Sequence, residues 1–153
     1  GQAPQISTPP RQEEELEIPE DILLVDDVPM NLSVLSLMLK NMGARPRTAT
    51  SGAKALEELE NFTPEIILTD IWMPDMDGCQ LAKSIRKKRK FKQIRIIAVT
   101  ADSEVQVNFD LGDFDAVLLK PLTIPKMKSL FRDLKKNNLR KPGVRKTDLN
   151  KED

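Results

Sequence analysis

Asp26, Asp27, Asp70, Thr100 and Lys120 are the residues whose types and places could do chemistry. Each ends or follows a short apolar run. Ile22-Leu23-Leu24-Val25 leads to Asp26-Asp27, and Ile66-Ile67-Leu68-Thr69 leads to Asp70. Ile94 to Val99 leads to Thr100, and Ala116 to Leu119 leads to Lys120-Pro121. Such runs read as buried strands. One carboxylate at a strand end says little, because Asp is a common turn residue. Three, with a Thr and a Lys at two further strand ends, say more. Carboxylates brought together repel one another and cost folding energy unless a cation offsets them. Few oxygen ligands, on loops open to water, suit Mg2+, which keeps several waters and takes one or two carboxylates. A Lys ammonium pairs with a carboxylate or a phosphoryl oxygen as a point charge. A Thr hydroxyl donates to the same oxygen. Cation, Lys and Thr together form a clamp on a transferring phosphoryl group, with an Asp carboxylate as nucleophile. The residues therefore point to an aspartyl phosphate formed and hydrolysed with Mg2+.

The elements that must position these groups alternate along the chain. After the first strand, Pro29 opens a helix with Leu32, Leu35, Leu39 and Met42 at helical spacing, Val34 and Met38 widening the face, and Gly43 as its stop. Arg45 to Ala49 is a second strand of weak signal. Ser51 caps a second helix facing Ala55, Leu56 and Leu59 inward. Beyond Asp70, Pro74 and Asp77-Gly78 break regular structure, and a third helix is predicted over 78–89. A short, poorly patterned helix is expected from about Ala101 to Phe109, and a last one over 122–134, its proper start near Thr123 because Pro125 belongs in a first turn. Strand and helix repeated five times argue for a doubly wound α/β fold, a five-stranded parallel sheet with right-handed crossovers. All strand C-termini then share one edge, where ligands bind in open sheets. There the five residues should gather.

Composition narrows the function classes. A length of 153 residues suits one domain. The 24 basic and 24 acidic residues balance, so no global field implies nucleic acid or membrane. Residues 1–18, acidic and rich in proline, read as a linker, 19–136 as the domain, and 137–153 as a polar, basic tail. The basic run Arg86-Lys87-Lys88-Arg89-Lys90 reads as a helix C-terminus complementing its dipole, since no aromatics interleave it for stacking on bases. The chain has no histidine. That excludes a Ser-His or Cys-His pair, a His-rich zinc site and phosphohistidine within this chain, so any phosphohistidine comes from a partner. Cys79 is the only cysteine, which rules out an intrachain disulfide and fits a reducing compartment. No apolar run approaches a membrane span and no signal-peptide pattern opens the chain, so a cytoplasmic protein without membrane contact of its own is expected.

The motifs LLVDD at 23–27, LTDIWMPDMDG at 68–78, AVT at 98–100 and KP at 120–121 resemble the receiver domain of response regulators in two-component signalling, over about residues 19–134. DDVPMNLSVLSLMLKNMG at 26–43 is more similar to receivers attached to hybrid sensor histidine kinases than to stand-alone transcription factors. The resemblance implies a flavodoxin-like sheet of strand order 2-1-3-4-5. It implies Asp70 as phosphoacceptor, taking a phosphoryl group from a histidine kinase or a histidine phosphotransfer protein. Asp27, Asp70 and the backbone carbonyl of Trp72 would ligate Mg2+, with Asp26 binding through water. Thr100 would move toward the phosphoryl group, Lys120 would pair with it, and Pro121 would follow a cis peptide bond. A homodimer through the fourth helix, fifth strand and fifth helix is a further implication. The chain departs from the family at Val117, where receivers often carry an aromatic switch residue, and in a short stretch between Thr100 and Lys120 with Gly112 a step early. A receiver signalling without an aromatic switch, or presenting an unusual fourth-helix surface, is the corresponding expectation.

Other readings fit less well. A calcium loop at MPDMDG would begin on Met73 and put Ser84 where a Glu is required. Asp75-Met76-Asp77-Gly78 resembles the DxDG of haloacid-dehalogenase-like phosphatases, but IWMP separates it from its strand. No P-loop or dinucleotide fingerprint is present. A phosphorylation-independent interaction module of the same fold is the serious rival, and the presence of all five site residues argues against it. The segment from Lys135 to Asp153 holds no DNA-binding domain. Trp72 is either a large loop residue or a shield over Asp70 that slows dephosphorylation; in the latter case a small replacement shortens the phosphoryl lifetime.

Overall fold

The computed structural model describes residues 16–137 of the chain. The linker reading over 1–18 lies outside the described residues up to residue 15, and the tail reading over 137–153 lies outside them from residue 138. Five parallel strands, β1 (Asp21–Val25), β2 (Arg45–Ala49), β3 (Ile66–Asp70), β4 (Arg95–Thr100) and β5 (Ala116–Leu119), form one sheet in the order β2-β1-β3-β4-β5. The helices are α1 (Pro29–Asn41), α2 (Gly52–Glu58), α3 (Gly78–Arg86), α4 (Val105–Asn108) and α5 (Ile124–Asn137), with a 3-10 turn over Arg89–Phe91. The architecture is the doubly wound five-stranded sheet expected from the alternation of strand and helix.

Strand residues divide between the two faces with period two, as a pleated backbone dictates. Leu23, Val25, Ile67, Ile96 and Ala98 join one core with Ala55 and Leu59 of the α2 region and Leu81, Ala82 and Ile85 of α3. Ile22, Leu24, Ile66, Leu68, Ile97 and Val99 join the other with Leu32 and Leu39 of α1 and Met127, Leu130 and Phe131 of α5. The strands β1, β3 and β4 are apolar on both sides because helices cover both faces. Leu16 and Ile18, ahead of β1, pack partly against the second core, and Glu17 pairs with Lys135 at 3.5 Å. The two outer strands carry their own guards. In β2, Pro46 lies between Arg45 and Arg47. Beside β5, the Lys126 ammonium donates to the carbonyls of Leu119 and Pro121, at 2.6 and 3.0 Å.

Local chemistry explains the helix ends. Ser51 Oγ accepts the Lys54 N–H at 3.0 Å and starts α2. Asp77 and Gln80 exchange side-chain bonds with each other's N–H, at 2.8 and 2.9 Å, and start α3 as a capping box. Thr123 Oγ1 accepts the Lys126 N–H at 3.3 Å ahead of α5, close to the expected start. Gly43, at φ 106°, stops α1 in a conformation that favours glycine.

Three expectations are corrected. Val34 does not widen the buried face of α1; it is 59% exposed. Two residues past Leu32 lies about 200° around a helix, on the far side. The third helix ends at Arg86, three residues early. The Arg86 guanidinium donates to the carbonyls of Ile94 and Asp113 and to Asp115, at 2.8, 3.2 and 2.9 Å, and the 3-10 turn that follows lets Phe91 reach the core. Only Arg86 of the basic run therefore sits within the helix, and Lys87 to Lys90 are exposed beyond it. The fourth helix spans four residues rather than the nine expected from 101 to 109. Thr100 Oγ1 accepts the Asp102 N–H at 3.1 Å and Asp102 Oδ1 accepts the Glu104 N–H at 2.8 Å. These local bonds offer the backbone an alternative to the helix and delay it to Val105.

Candidate functional site

The loops after β1, β3, β4 and β5 meet at the C-terminal edge of the sheet. Asp26 follows β1, and its N–H donates to the Ala49 carbonyl at 3.2 Å, tying it to the end of β2. Its side chain is almost wholly buried. Asp26 Oδ1 accepts the Val28 N–H at 2.9 Å, and Oδ2 accepts from Asn31 Nδ2 at 3.1 Å. Asp70 is the last residue of β3, and its Oδ1 accepts the Ile71 N–H at 2.9 Å. One carboxylate oxygen from each of Asp26, Asp27 and Asp70 lies within 4.8 Å of the others. The Lys120 ammonium stands between two of them, 3.6 Å from Asp26 Oδ2 and 3.5 Å from Asp70 Oδ2. The Lys120–Pro121 peptide bond is cis.

Charge is not balanced at this edge. Burial pushes the Asp70 carboxyl above its ordinary range; Lys120 pulls it down, Asp26 pushes it up, and the Ile71 N–H pulls it down without restoring it. One ammonium serves three carboxylates, so the cluster is short of positive charge. All its donors are hard oxygens, the chemistry that suits Mg2+ rather than a soft metal. The residues present therefore fit the divalent cation that the sequence implies.

Thr100 ends β4, one residue beyond the Val99 that pairs with Asp70. It is fully buried, and its carbonyl accepts the Lys120 N–H at 2.8 Å. Its hydroxyl oxygen accepts the Asp102 N–H, which leaves the hydroxyl proton to donate elsewhere. Trp72 lies two residues past Asp70, 53% exposed, with its ring edge-on to that of Phe109. Among the five residues of the strand ends, the structure brings Asp26, Asp27, Asp70 and Lys120 into one cluster and sets Thr100 on the adjoining strand.

Two further residues shape the site. Asn31, in the first turn of α1, holds Asp26. A short polar side chain one turn past an Asp-Asp pair was the available signal. Gly78 opens α3 against β3, its N–H donating to the Ile71 carbonyl at 2.8 Å. A Cβ there would collide with the Asp70 carbonyl oxygen and lie 2.9 Å from Ile71 Cα. The sequence marks this glycine as a turn, and the close approach follows only from the packing of α3 on β3. Beside the cluster, a cleft of about 530 Å³ runs between α1 and the β5–α5 connection, lined by Asp26, Asn31, Asp70, Lys120, Val34 and Leu122 among others.

The family model for the response regulator receiver domain matches residues 22–132. The chain is 34% identical over 131 residues to the hybrid signal transduction histidine kinase L of Dictyostelium discoideum, covering 80% of this chain and 8% of that protein. It is 36% identical over 110 residues to the sensor histidine kinase RcsC of Escherichia coli, covering 70% of this chain and 11% of that protein. The chain thus spans a small part of these relatives. The crystal structure of the response regulator TrrA from Thermotoga maritima, in complex with Mg2+ and BeF, aligns at a TM-score of 0.68 and 30% identity, covering 75% of this chain and 98% of that one. The receiver domain of a sensor histidine kinase from Pseudomonas aeruginosa, with magnesium coordinated in its active-site cleft, aligns at 0.69 and 28% identity, covering 74% and 95%. With its sheet order, its acidic edge and a family match across the sheet and its helices, this chain belongs to the receiver domain family of two-component signalling.

Proposed function

We propose that this domain accepts a phosphoryl group on Asp70 from the phosphohistidine of a histidine kinase or a histidine phosphotransfer protein. The observation that carries the reading is the cluster itself: three carboxylates within 4.8 Å, with Lys120 reaching two of them. An Asp70 carboxylate oxygen attacks phosphorus, the P–N bond to the donor imidazole breaks, and its electron pair leaves with the imidazole nitrogen. Mg2+ would be held by Asp27, Asp70 and the Trp72 backbone carbonyl, with Asp26 binding through water, and would neutralise charge on the phosphoryl oxygens. Lys120, already facing Asp70, pairs with one of those oxygens. The Thr100 hydroxyl donates to another while its own oxygen stays held by the Asp102 N–H.

Val34 lines the cleft, and Met30 and Leu37 are further apolar side chains exposed on α1; together they support docking of the phosphohistidine-bearing partner there. Output through the α4–β5–α5 face, including a homodimer, is supported by a groove of about 850 Å³ beside β5 and α5, where Val117 and Leu119 are exposed. No helix of the described residues is long and apolar enough to cross a membrane. We place the domain in the cytoplasm, as part of a hybrid kinase of the kind its relatives are named for.

The test is intact-mass analysis after incubation with Mg2+ and acetyl phosphate, beside an Asp70→Asn variant. Addition of one phosphoryl group to the native chain alone is expected. A folded native chain that gains none, and that also fails to bind a beryllofluoride mimic, would establish the phosphorylation-independent module instead.

A further inference from the structure

Trp72 is the single tryptophan of the chain, in the loop that leaves the phosphosite. Ile71 on one side of it is fully buried, and Met73 on the other packs partly against the same core. The Trp72 side chain leaves that core and meets Phe109, with ring centroids 4.7 Å apart and planes at 81°. This edge-to-face geometry is one that aromatic quadrupoles favour.

Phe109 is itself held. It caps α4, its N–H donating to the Val105 carbonyl at 3.0 Å, and Val105 is buried in the core beneath. The Phe109 ring packs partly on that core as well. It therefore joins two parts of the molecule that the sheet does not join directly: the loop after β3 and the single turn of α4. Phe109 falls at the C-terminal cap of α4, beside Trp72. Val117, where the family often carries an aromatic, is an exposed aliphatic and makes no such link.

We infer that Phe109 is a positioning residue for the cation site: by holding the Trp72 ring, it fixes the main chain of residue 72, whose carbonyl completes the ligand set. The inference rests on the ligand assignment proposed above. A loop carbonyl coordinates well only if the loop is already ordered, so an outside anchor raises affinity by preorganisation rather than by contact. Asp26 and Asp70 are already fixed by backbone N–H groups.

The test is Mg2+ titration of the whole chain by calorimetry, with Trp72 emission followed in parallel. The variants are Phe109→Ala, Phe109→Leu, Phe109→Tyr and, as a control on the ligand set, Asp27→Asn. Phe109→Ala and Phe109→Leu should weaken Mg2+ binding on the order of 2- to 10-fold, the range one aromatic pair supplies. Phe109→Tyr should restore it. Phe109→Leu preserves apolar packing, so it reads the ring contact even where the alanine variant does not fold. Emission without Mg2+ should shift in the leucine variant and return with tyrosine. Native affinity in folded Phe109→Leu, with binding lost in Asp27→Asn, would overturn the inference and leave the proposed site standing. Native affinity in Asp27→Asn, or no binding to the native chain, would overturn both.

Discussion

Gly78, at the start of α3, lies against the backbone carbonyl of Asp70 with no room for a Cβ between them. The capping box of Asp77 and Gln80 fixes where the helix begins, and the Gly78 N–H bond to the Ile71 carbonyl fixes its distance from β3. A methyl group at 78 forces one of these apart, and the atoms in its way are backbone rather than the tip of a flexible side chain. Gly78→Ala is therefore expected to cost about 1–3 kcal/mol of stability, the range for overpacking. Urea denaturation measures this, and Mg2+ affinity should fall with it because the displaced strand end carries Asp70.

Charge at the acidic edge makes a second expectation, with its sign fixed by the direction of the Asp70 shift. Burial holds this carboxyl above its value in the unfolded chain. Its cost to folding is absent below the unfolded value, grows as pH rises between the unfolded and folded values, and is complete above the folded one. Asp70→Asn should thus match the native chain in acid and exceed it in thermal stability at neutral pH without Mg2+. Added Mg2+ should narrow the gap by stabilising the native chain alone. Thermal melts across pH, with and without Mg2+, read both effects.

Arg86 and Asp115 form a nearly buried ion pair at 2.9 Å, their side chains 10% and 2% exposed. Asp115 Oδ2 also accepts the Ile96 N–H at 2.9 Å, so the carboxylate serves β4 as well as the guanidinium. Asp115→Ala leaves the Ile96 N–H without its acceptor and the Arg86 charge without its counter-charge, and should cost about 3–5 kcal/mol, the range for breaking a buried pair. Chemical denaturation reads the loss. An Arg86→Met, Asp115→Leu double variant should recover part of it, since neither charge is then left without a partner.

Cys79 gives a chemical handle on the same helix. Burial pushes its thiol up to about 12, with Asp77, Asp110 and Asp113 adding to the effect. The thiolate is the reactive form, so alkylation at pH 8 should be slow in the folded chain and should quicken sharply on unfolding in urea. Timed labelling with iodoacetamide, read by mass, checks both rates.

Much of the sheet was legible because β1, β3 and β4 are continuous apolar runs, and each ends on a residue that looks out of place in a core. The carboxylate cluster was legible for the same reason: parallel topology puts every strand's C-terminus on one edge. The extent of α4 was not. Residues 101–109 were read by composition, whereas Thr100 and Asp102 capture backbone N–H groups that a helix needs. The basic run from Arg86 reads as a helix C-terminus complementing its dipole, yet the carbonyls of Ile94 and Asp113 and the carboxylate of Asp115 draw Arg86 inward. Those partners lie 8 to 29 residues away, beyond any local pattern. The Trp72–Phe109 contact, 37 positions apart in the sequence numbering, is of the same kind.

The two margins of the sheet have a consequence for crowding. An exposed strand invites another chain to extend the ladder. At one margin Pro46 has no N–H to offer, and arginines flank it. At the other, Lys126 already occupies the Leu119 and Pro121 carbonyls. Copies brought together on a large assembly can then meet through side chains, reversibly, without fusing their backbones into one continuous ribbon.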